Sequence, residues 1–117
     1  MAFDTPDASR NDIENVIGAA LFAVGRGARG LWINLAAVQL LRRRFRSRVA
    51  AAVEAPDWRD RWRDEQPYLL AQAEAMGRHA ARLAREEDRA CITSADLERA
   101  MARLRGSLPV AGRWCPF

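Results

Sequence analysis

Arginine is the residue through which this sequence is best equipped to bind another molecule. Every one of the chain's 19 basic residues is an arginine, and no acidic residue lies between Glu14 and Glu54. Because a guanidinium is planar and forms paired hydrogen bonds with phosphate or carboxylate, this segment predicts an acidic partner, either nucleic acid or a protein surface. The predicted binding residues are Arg26, Arg29, Arg42, Arg43, Arg44, Arg46 and Arg48.

The arginines from Arg42 to Arg48 surround Phe45 on one predicted helix. Each of them can engage one backbone phosphate, which predicts a phosphate-binding ridge. Two alternatives are a solvated helix face and intramolecular pairing with the acid-rich segment from Asp57 to Glu65.

Four tryptophans offer a second kind of contact. An indole ring stacks on nucleic-acid bases or anchors a protein interface, and it also packs in cores and at their edges. The residues predicted to form an interface are Trp58, Trp62, Trp114 and Phe117.

Nothing in the sequence assembles a catalytic or metal site. His79 is the single histidine, and neither a nucleophile nor a pair of carboxylates is placed with it. Cys91 and Cys115 are far apart, so no zinc ligand set is present, and we expect Cys91 to be a small buried hydrophobe. The glycines from Gly25 to Gly30 lack the spacing of a phosphate-binding loop. We therefore expect no enzymatic activity, no metal and no cofactor.

Length and composition predict one folded domain. The chain has 117 residues, of which 50% are hydrophobic, and a formal net charge of +4. Its first residues are polar and acidic, unlike a secretory signal or a mitochondrial presequence. The longest apolar stretches are about half of the ~20 residues that a bilayer span needs. We expect a soluble cytoplasmic protein without a membrane span.

Hydrophobic periodicity predicts an all-α fold of four to five helices. A first helix begins near Asp12, and a second runs from Leu31 to about Glu54. Three glycines between residues 25 and 30 interrupt them, as either a turn or a helix bend. The expected division is a disordered segment 1–11 and a single helical domain 12–117, which contains a basic helical hairpin at 12–55.

The second half of the chain predicts a helix, a short extended piece and a final helix. Pro56 ends the preceding helix, a short segment covers Trp58 to Glu65, and Pro67 suits the first turn of a new helix. Thr93 and Asp96 have capping-box spacing before a helix that ends at Gly106. This half spans 57–106, and residues 107–117 form an aromatic tail expected to pack on the domain or into a partner.

The stretch from Leu83 to Ala100 resembles the end of a histone fold, in which a long helix, a short loop strand and a capped helix follow one another. The resemblance covers residues 78–105 and implies that Arg89 pairs with Asp96, seven positions later. It also implies that the strand at Ile92 pairs with the first loop of a partner subunit. A weaker resemblance exists to the small C-terminal domain of protochlorophyllide-reductase-like proteins and to the lid domains of AAA+ ATPases.

Two functions follow as expectations. The first is a small non-enzymatic DNA-associated protein of nucleoid or regulatory type, which binds phosphates non-specifically through the arginines named above. The alternative is an accessory or assembly subunit that docks through its basic middle and aromatic tail. Because a histone-fold-like half leaves apolar faces open, we expect a homodimer or a place in a larger complex.

Overall fold

The computed structural model describes residues 6–52, 54 and 56–107. It contains two successive helix–strand–helix units, and the fold is all-α, as predicted. The first unit is α1 (Pro6–Ala28), β1 (Trp32–Ile33) and α2 (Leu35–Ala52). The second unit is α3 (Trp58–Glu86), β2 (Cys91–Ile92) and α4 (Ser94–Ser107). No helix among these residues is both long enough and apolar enough to cross a bilayer.

Two strands of two residues each join the units. β1 and β2 pair in parallel, with Trp32 opposite Cys91 and Ile33 opposite Ile92. The Trp32 N–H donates to the Ala90 carbonyl at 3.1 Å. The extended piece predicted at β2 is confirmed, but its strand partner is β1 of the same chain and not the loop of a second subunit.

The glycine-rich segment resolves into a turn. α1 continues through Gly25 and Gly27 to Ala28, and Arg29 and Gly30 then adopt positive φ angles of 39° and 80°. The second helix does not begin at Leu31, because β1 intervenes and Asn34 caps the helix. The Asn34 Oδ1 accepts a hydrogen bond from the Ala36 N–H at 2.9 Å, which satisfies one of the free amides of the first turn.

Pro67 lies inside α3 and does not begin a helix. The predicted short segment Trp58–Glu65 is the first part of that same helix. A proline inside a helix costs about 3 kcal/mol, but Trp58 and Trp62 are partly buried and pack against the core. Tertiary packing on both sides of Pro67 therefore keeps this stretch helical.

Helix ends also differ from expectation at both termini of the fold. α1 begins at Pro6, so residues 6–11 are helical and not disordered. α4 begins at Ser94 and continues to Ser107, so Gly106 lies within the helix and does not close it. Of the expected aromatic tail, residues 108–117 lie outside the described residues, as do residues 1–5 of the expected disordered segment.

α1 and α3 run side by side in the same direction. Asp12 pairs with Arg59, and further along both helices Arg26 pairs with Glu74. The core contains side chains of α1, α2 and α3, among which Ile17, Phe45 and Met76 are almost fully buried. α2 returns along α1, and α4 returns along α3.

α1 and α3 touch backbone to backbone where the last turns of α1 cross the middle of α3. A Cβ atom at Gly27 would overlap the Glu74 carbonyl oxygen, and one at Gly77 would overlap the Val24 carbonyl oxygen. Only glycine fits such a contact. This approach brings the exposed faces of α1 and α3 close enough to border one groove.

Candidate phosphate-binding cleft

The arginines of α2 do not form one ridge. Successive helical residues are about 100° apart, so residues 42 and 46 lie on one flank of the apolar stripe and residues 44 and 48 on the other. Arg42 and Arg46 both pair with Glu14 of α1, the first at 3.5 Å. Arg44 pairs with Glu98 of α4 at 2.8 Å. The predicted ridge is thus divided between two flanks.

These pairs also differ from the alternative that the sequence suggested. Arg42, Arg44 and Arg46 neutralise charge on α1 and α4, not on the acid-rich segment at the start of α3. Arg43 is exposed on the side of α2 away from the core, with no charged partner in the described part of the chain. Arg48 is exposed too.

Arg26 and Arg29, the other predicted binding residues, lie together at the end of α1. Arg26 donates to the Glu74 carboxylate at 3.3 Å. The Arg29 carbonyl accepts a hydrogen bond from Arg85 Nη2 at 3.0 Å, which ties the end of α1 to α3. The Arg29 guanidinium itself is exposed.

A cleft of about 610 Å³ opens beside this junction of α1 and α3. It is bordered by four arginines, three on α3 and one in the turn after α1, with one glutamate at its edge. Its lining residues are Gly27, Arg29, Arg78, Arg82, Arg85 and Glu86.

The helical repeat explains why the arginines of α3 face the same way. Residues 78, 82 and 85 are separated by four and three positions, so they form one row along the helix. Arg26 lies on the last turn of α1, and Arg29 lies in the turn that follows the helix. The Gly27 contact holds this end of α1 beside the α3 row, and a larger residue there would push the two apart.

Little acidic charge offsets the cleft. Glu74 is shared by Arg26 and Arg78, the latter at 3.5 Å. The side chains of Arg29 and Arg82 have no carboxylate partner within the described residues. Because exposed cations with free donors bind oxyanions, the cleft suits phosphate groups.

His79 senses the same positive field. Burial lowers the pKa of its imidazole, and the nearby positive charges of Arg103 and Arg82 lower that pKa further, with Glu86 opposing them. The imidazole is half-buried beside the α3 arginine row, which makes the chain's single histidine a probe of charge at the cleft.

Arg89 serves the fold and is not part of the cleft. Its Nη1 and Nη2 donate to the two Asp96 carboxylate oxygens at 2.7 and 2.8 Å, so the pairing expected from their spacing is confirmed. Nη1 also donates to the Cys91 carbonyl at 3.0 Å, and Nη2 to Glu87 at 2.6 Å. With these donors engaged, the guanidinium joins the end of α3, β2 and the start of α4.

Asp96 completes the capping arrangement predicted for α4. Its Oδ2 accepts hydrogen bonds from the Thr93 N–H at 2.9 Å and the Thr93 hydroxyl at 3.1 Å. The Arg89 hydrogen bonds, more than those from Thr93, lower the pKa of the Asp96 carboxyl to about 2 although burial opposes this shift. The side chain is only 2% exposed, so the pair is a buried structural element.

The predicted tryptophan interface is divided between described and undescribed residues. Trp58 and Trp62 are half-buried and line a smaller cleft of about 270 Å³ together with Asp12 of α1. The Arg59 guanidinium stacks 4.7 Å from the Trp58 ring centre and also bonds to Asp12 at 3.2 Å. Trp114 and Phe117 lie outside the described residues.

Sequence reasoning missed the α3 arginines as binding residues. Their signal was present, because Arg78, Arg82 and Arg85 have helical spacing on the side opposite the apolar stripe.

Two smaller points concern cysteine and metals. Cys91 is half-buried rather than fully buried, and no group of three or more metal-ligating side chains occurs in the residues that the structure covers.

Comparison with known proteins found no family model, no curated protein and no solved structure that matches this chain.

Proposed function

We propose that this protein binds the phosphate backbone of nucleic acid without sequence preference and without catalysing a reaction. The observation that carries the proposal is the cleft between α1 and α3, where exposed arginines of α3 and of the turn after α1 face one groove with little compensating acid. Each phosphate that an arginine neutralises releases condensed counterions, and this release drives non-specific binding.

The ion pairs favour this cleft over α2 as the place of contact. Arg42, Arg44 and Arg46 each face a carboxylate of a neighbouring helix, and a phosphate would have to compete with it. Arg29 and Arg82 face no such competitor in the part of the chain that the structure describes. Surface ion pairs are weak, at ~0–1 kcal/mol, so the α2 arginines contribute to the general field around the chain.

A salt titration of duplex binding tests the proposal. On logarithmic axes, affinity for a mixed-sequence duplex should fall linearly as the salt concentration rises. Each phosphate contacted should contribute about 0.9 log units of affinity per tenfold change in salt. Arg82→Gln removes one contact, so we expect about an eightfold loss of affinity at ~0.1 M salt and a shallower slope. Arg29→Gln should behave in the same way.

Arg43→Gln is the matched control. It removes the same charge from an exposed arginine on α2 that has no charged partner among the described residues. If Arg43→Gln weakened binding as much as Arg82→Gln, the contact surface would be α2 or the whole chain, and the cleft assignment would be wrong. Absence of binding to both duplex and single-stranded nucleic acid at low salt would reject the proposed function.

The second candidate is an accessory subunit that docks on an acidic protein. Exposed apolar side chains favour it, since Leu35 is 71% exposed at the start of α2. A hydrophobic interface resists salt, whereas phosphate binding does not. A partner chain that co-purifies and remains bound through a salt wash, with no duplex retained, would favour this candidate.

A further inference from the structure

Two aromatic residues that are close in sequence to the cleft-lining residues Gly27 and Arg29 are open to solvent. Trp32 is 77% exposed and Phe22 is 70% exposed. Burying a ring of this size on folding is strongly favourable, yet both stay outside the core. Their place beside exposed guanidinium groups suggests that they contact the ligand of the cleft.

Phe22 lies on the same face of α1 as Arg26, because the two residues are four positions apart on the helix. The Arg26 guanidinium lies 6.0 Å from the Phe22 ring centre. Arg26 also shares Glu74 with Arg78, which lines the cleft. An aromatic ring and a guanidinium group are thus in contact close to the groove.

Trp32 follows the turn that ends α1. It lies three residues after Arg29, on the short parallel ladder that follows the turn. Side chains alternate across a strand. In each of the two strands the second residue, Ile33 or Ile92, is more buried than the first. The indole of Trp32 therefore stands on the outer face, in register with Cys91.

We propose that the cleft and these rings together bind single-stranded nucleic acid, DNA or RNA. This inference rests on the proposed phosphate-binding function and names its ligand. Phosphates occupy the groove between Arg29 and the arginine row of α3, and a base stacks on the Trp32 indole. Phe22 offers a second ring. Bases in a duplex are already stacked and paired, so only an unpaired strand presents a free base face to the indole.

Electrostatics alone would give the opposite preference. A duplex has the higher charge density. For each phosphate contacted, its affinity changes by about 0.9 log units per tenfold change in salt, against about 0.7 log units for a single strand. A preference for single strands therefore requires a contact with the bases, and exposed rings beside a basic groove provide it.

The experiment compares fluorescently labelled oligo-dT, oligo-U and a mixed-sequence duplex of about 20 base pairs, at one salt concentration. Wild-type protein should bind at least one of the single strands more tightly than the duplex. Trp32→Ala should weaken binding of that strand by about fivefold or more, the lower end for loss of one stacked base. Duplex binding should stay within about twofold.

Two further variants separate stacking from general apolar contact. Trp32→Phe keeps an aromatic face and should retain most of the single-strand affinity. Leu35→Ala removes an equally exposed side chain from the same end of the molecule, but one without a ring, and should leave the affinity unchanged. Because Trp32 and Leu35 are both exposed, the far-ultraviolet spectra of these variants should match that of the wild type.

Three results would overturn the inference. One is an unchanged affinity of Trp32→Ala for both single strands. Another is an equal loss in Leu35→Ala, which would indicate an apolar protein-docking surface. The third is duplex binding at least as tight as the binding of both single strands, with Arg82→Gln still weakening it. In that case phosphate binding stands and the single-strand assignment fails. Failure of wild-type protein to bind any of the three probes would reject both proposals.

Discussion

Replacing Asp96 by asparagine tests whether the buried pair with Arg89 stabilises the junction of α3, β2 and α4. The carboxylate accepts two hydrogen bonds from Arg89 and two from Thr93. Its pKa is about 2 in the folded chain, against an ordinary value of 3.8. At ~1.36 kcal/mol per pKa unit, this difference corresponds to about 2 kcal/mol of stability.

The pH dependence follows from the sign of this shift. A carboxyl whose pKa is lower in the folded state stabilises the fold at pH values above its unfolded pKa of ~4. That contribution declines as the pH falls from about 4 towards about 2, where Asp96 is protonated in the unfolded chain and about half protonated in the folded chain. Asp96→Asn should therefore cost about 2 kcal/mol at pH 7 and close to nothing near pH 2.

Urea unfolding followed by circular dichroism at several pH values between 2 and 7 measures this difference directly. Asp60→Asn is the matched control, because Asp60 is exposed and lies 3.8 Å from its partner Arg63; its stability should stay within about 0.5 kcal/mol of wild type. The reasoning would be refuted if Asp96→Asn cost the same free energy at pH 2 as at pH 7, or if it cost no more than the control.

Two further predictions concern the contact of α1 with α3 and the field at the cleft. Gly27→Ala should destabilise the fold by about 1–3 kcal/mol because its Cβ meets a backbone carbonyl, whereas Gly25→Ala, which meets nothing within 4 Å, should stabilise α1 by about 0.5–1 kcal/mol; thermal unfolding midpoints that shift equally would contradict this contrast. Arg82→Gln should raise the pKa of His79 in an NMR titration, because a nearby positive charge is removed. An unchanged or lower value would show that Arg82 does not act on His79, and Arg43→Gln is the control.

Local features of the second half were readable from the sequence because their partners lie within a few residues. Arg89 and Asp96 are seven positions apart, and Thr93 is three positions from Asp96. Such short spacings fix geometry almost independently of the rest of the chain. The extended piece at β2 was predicted from its own residues, which are few and include the β-branched Ile92, although its strand partner β1 lies far along the chain.

Features that depend on distant partners were missed. β1 was assigned to a helix because Trp32 and Ile33 are too short a stretch to show strand alternation, and its partner β2 lies far along the chain. Pro67 was read as a helix start from its local preference, but contacts of Trp58 and Trp62 with the core extend α3 across it. Tertiary contacts outweigh local propensity in both cases.

The arginines show most clearly what the sequence determines and what the tertiary structure determines. The sequence by itself determined that the chain is helical and strongly basic through arginine alone, and its resemblance to the histone fold implied the Arg89–Asp96 pair. It did not determine which arginines act together, because neighbours in sequence point to different sides of a helix. Only the tertiary structure placed Arg29, in the turn after α1, in one cleft with Arg82 of α3, since that proximity depends on two parallel helices meeting at Gly27.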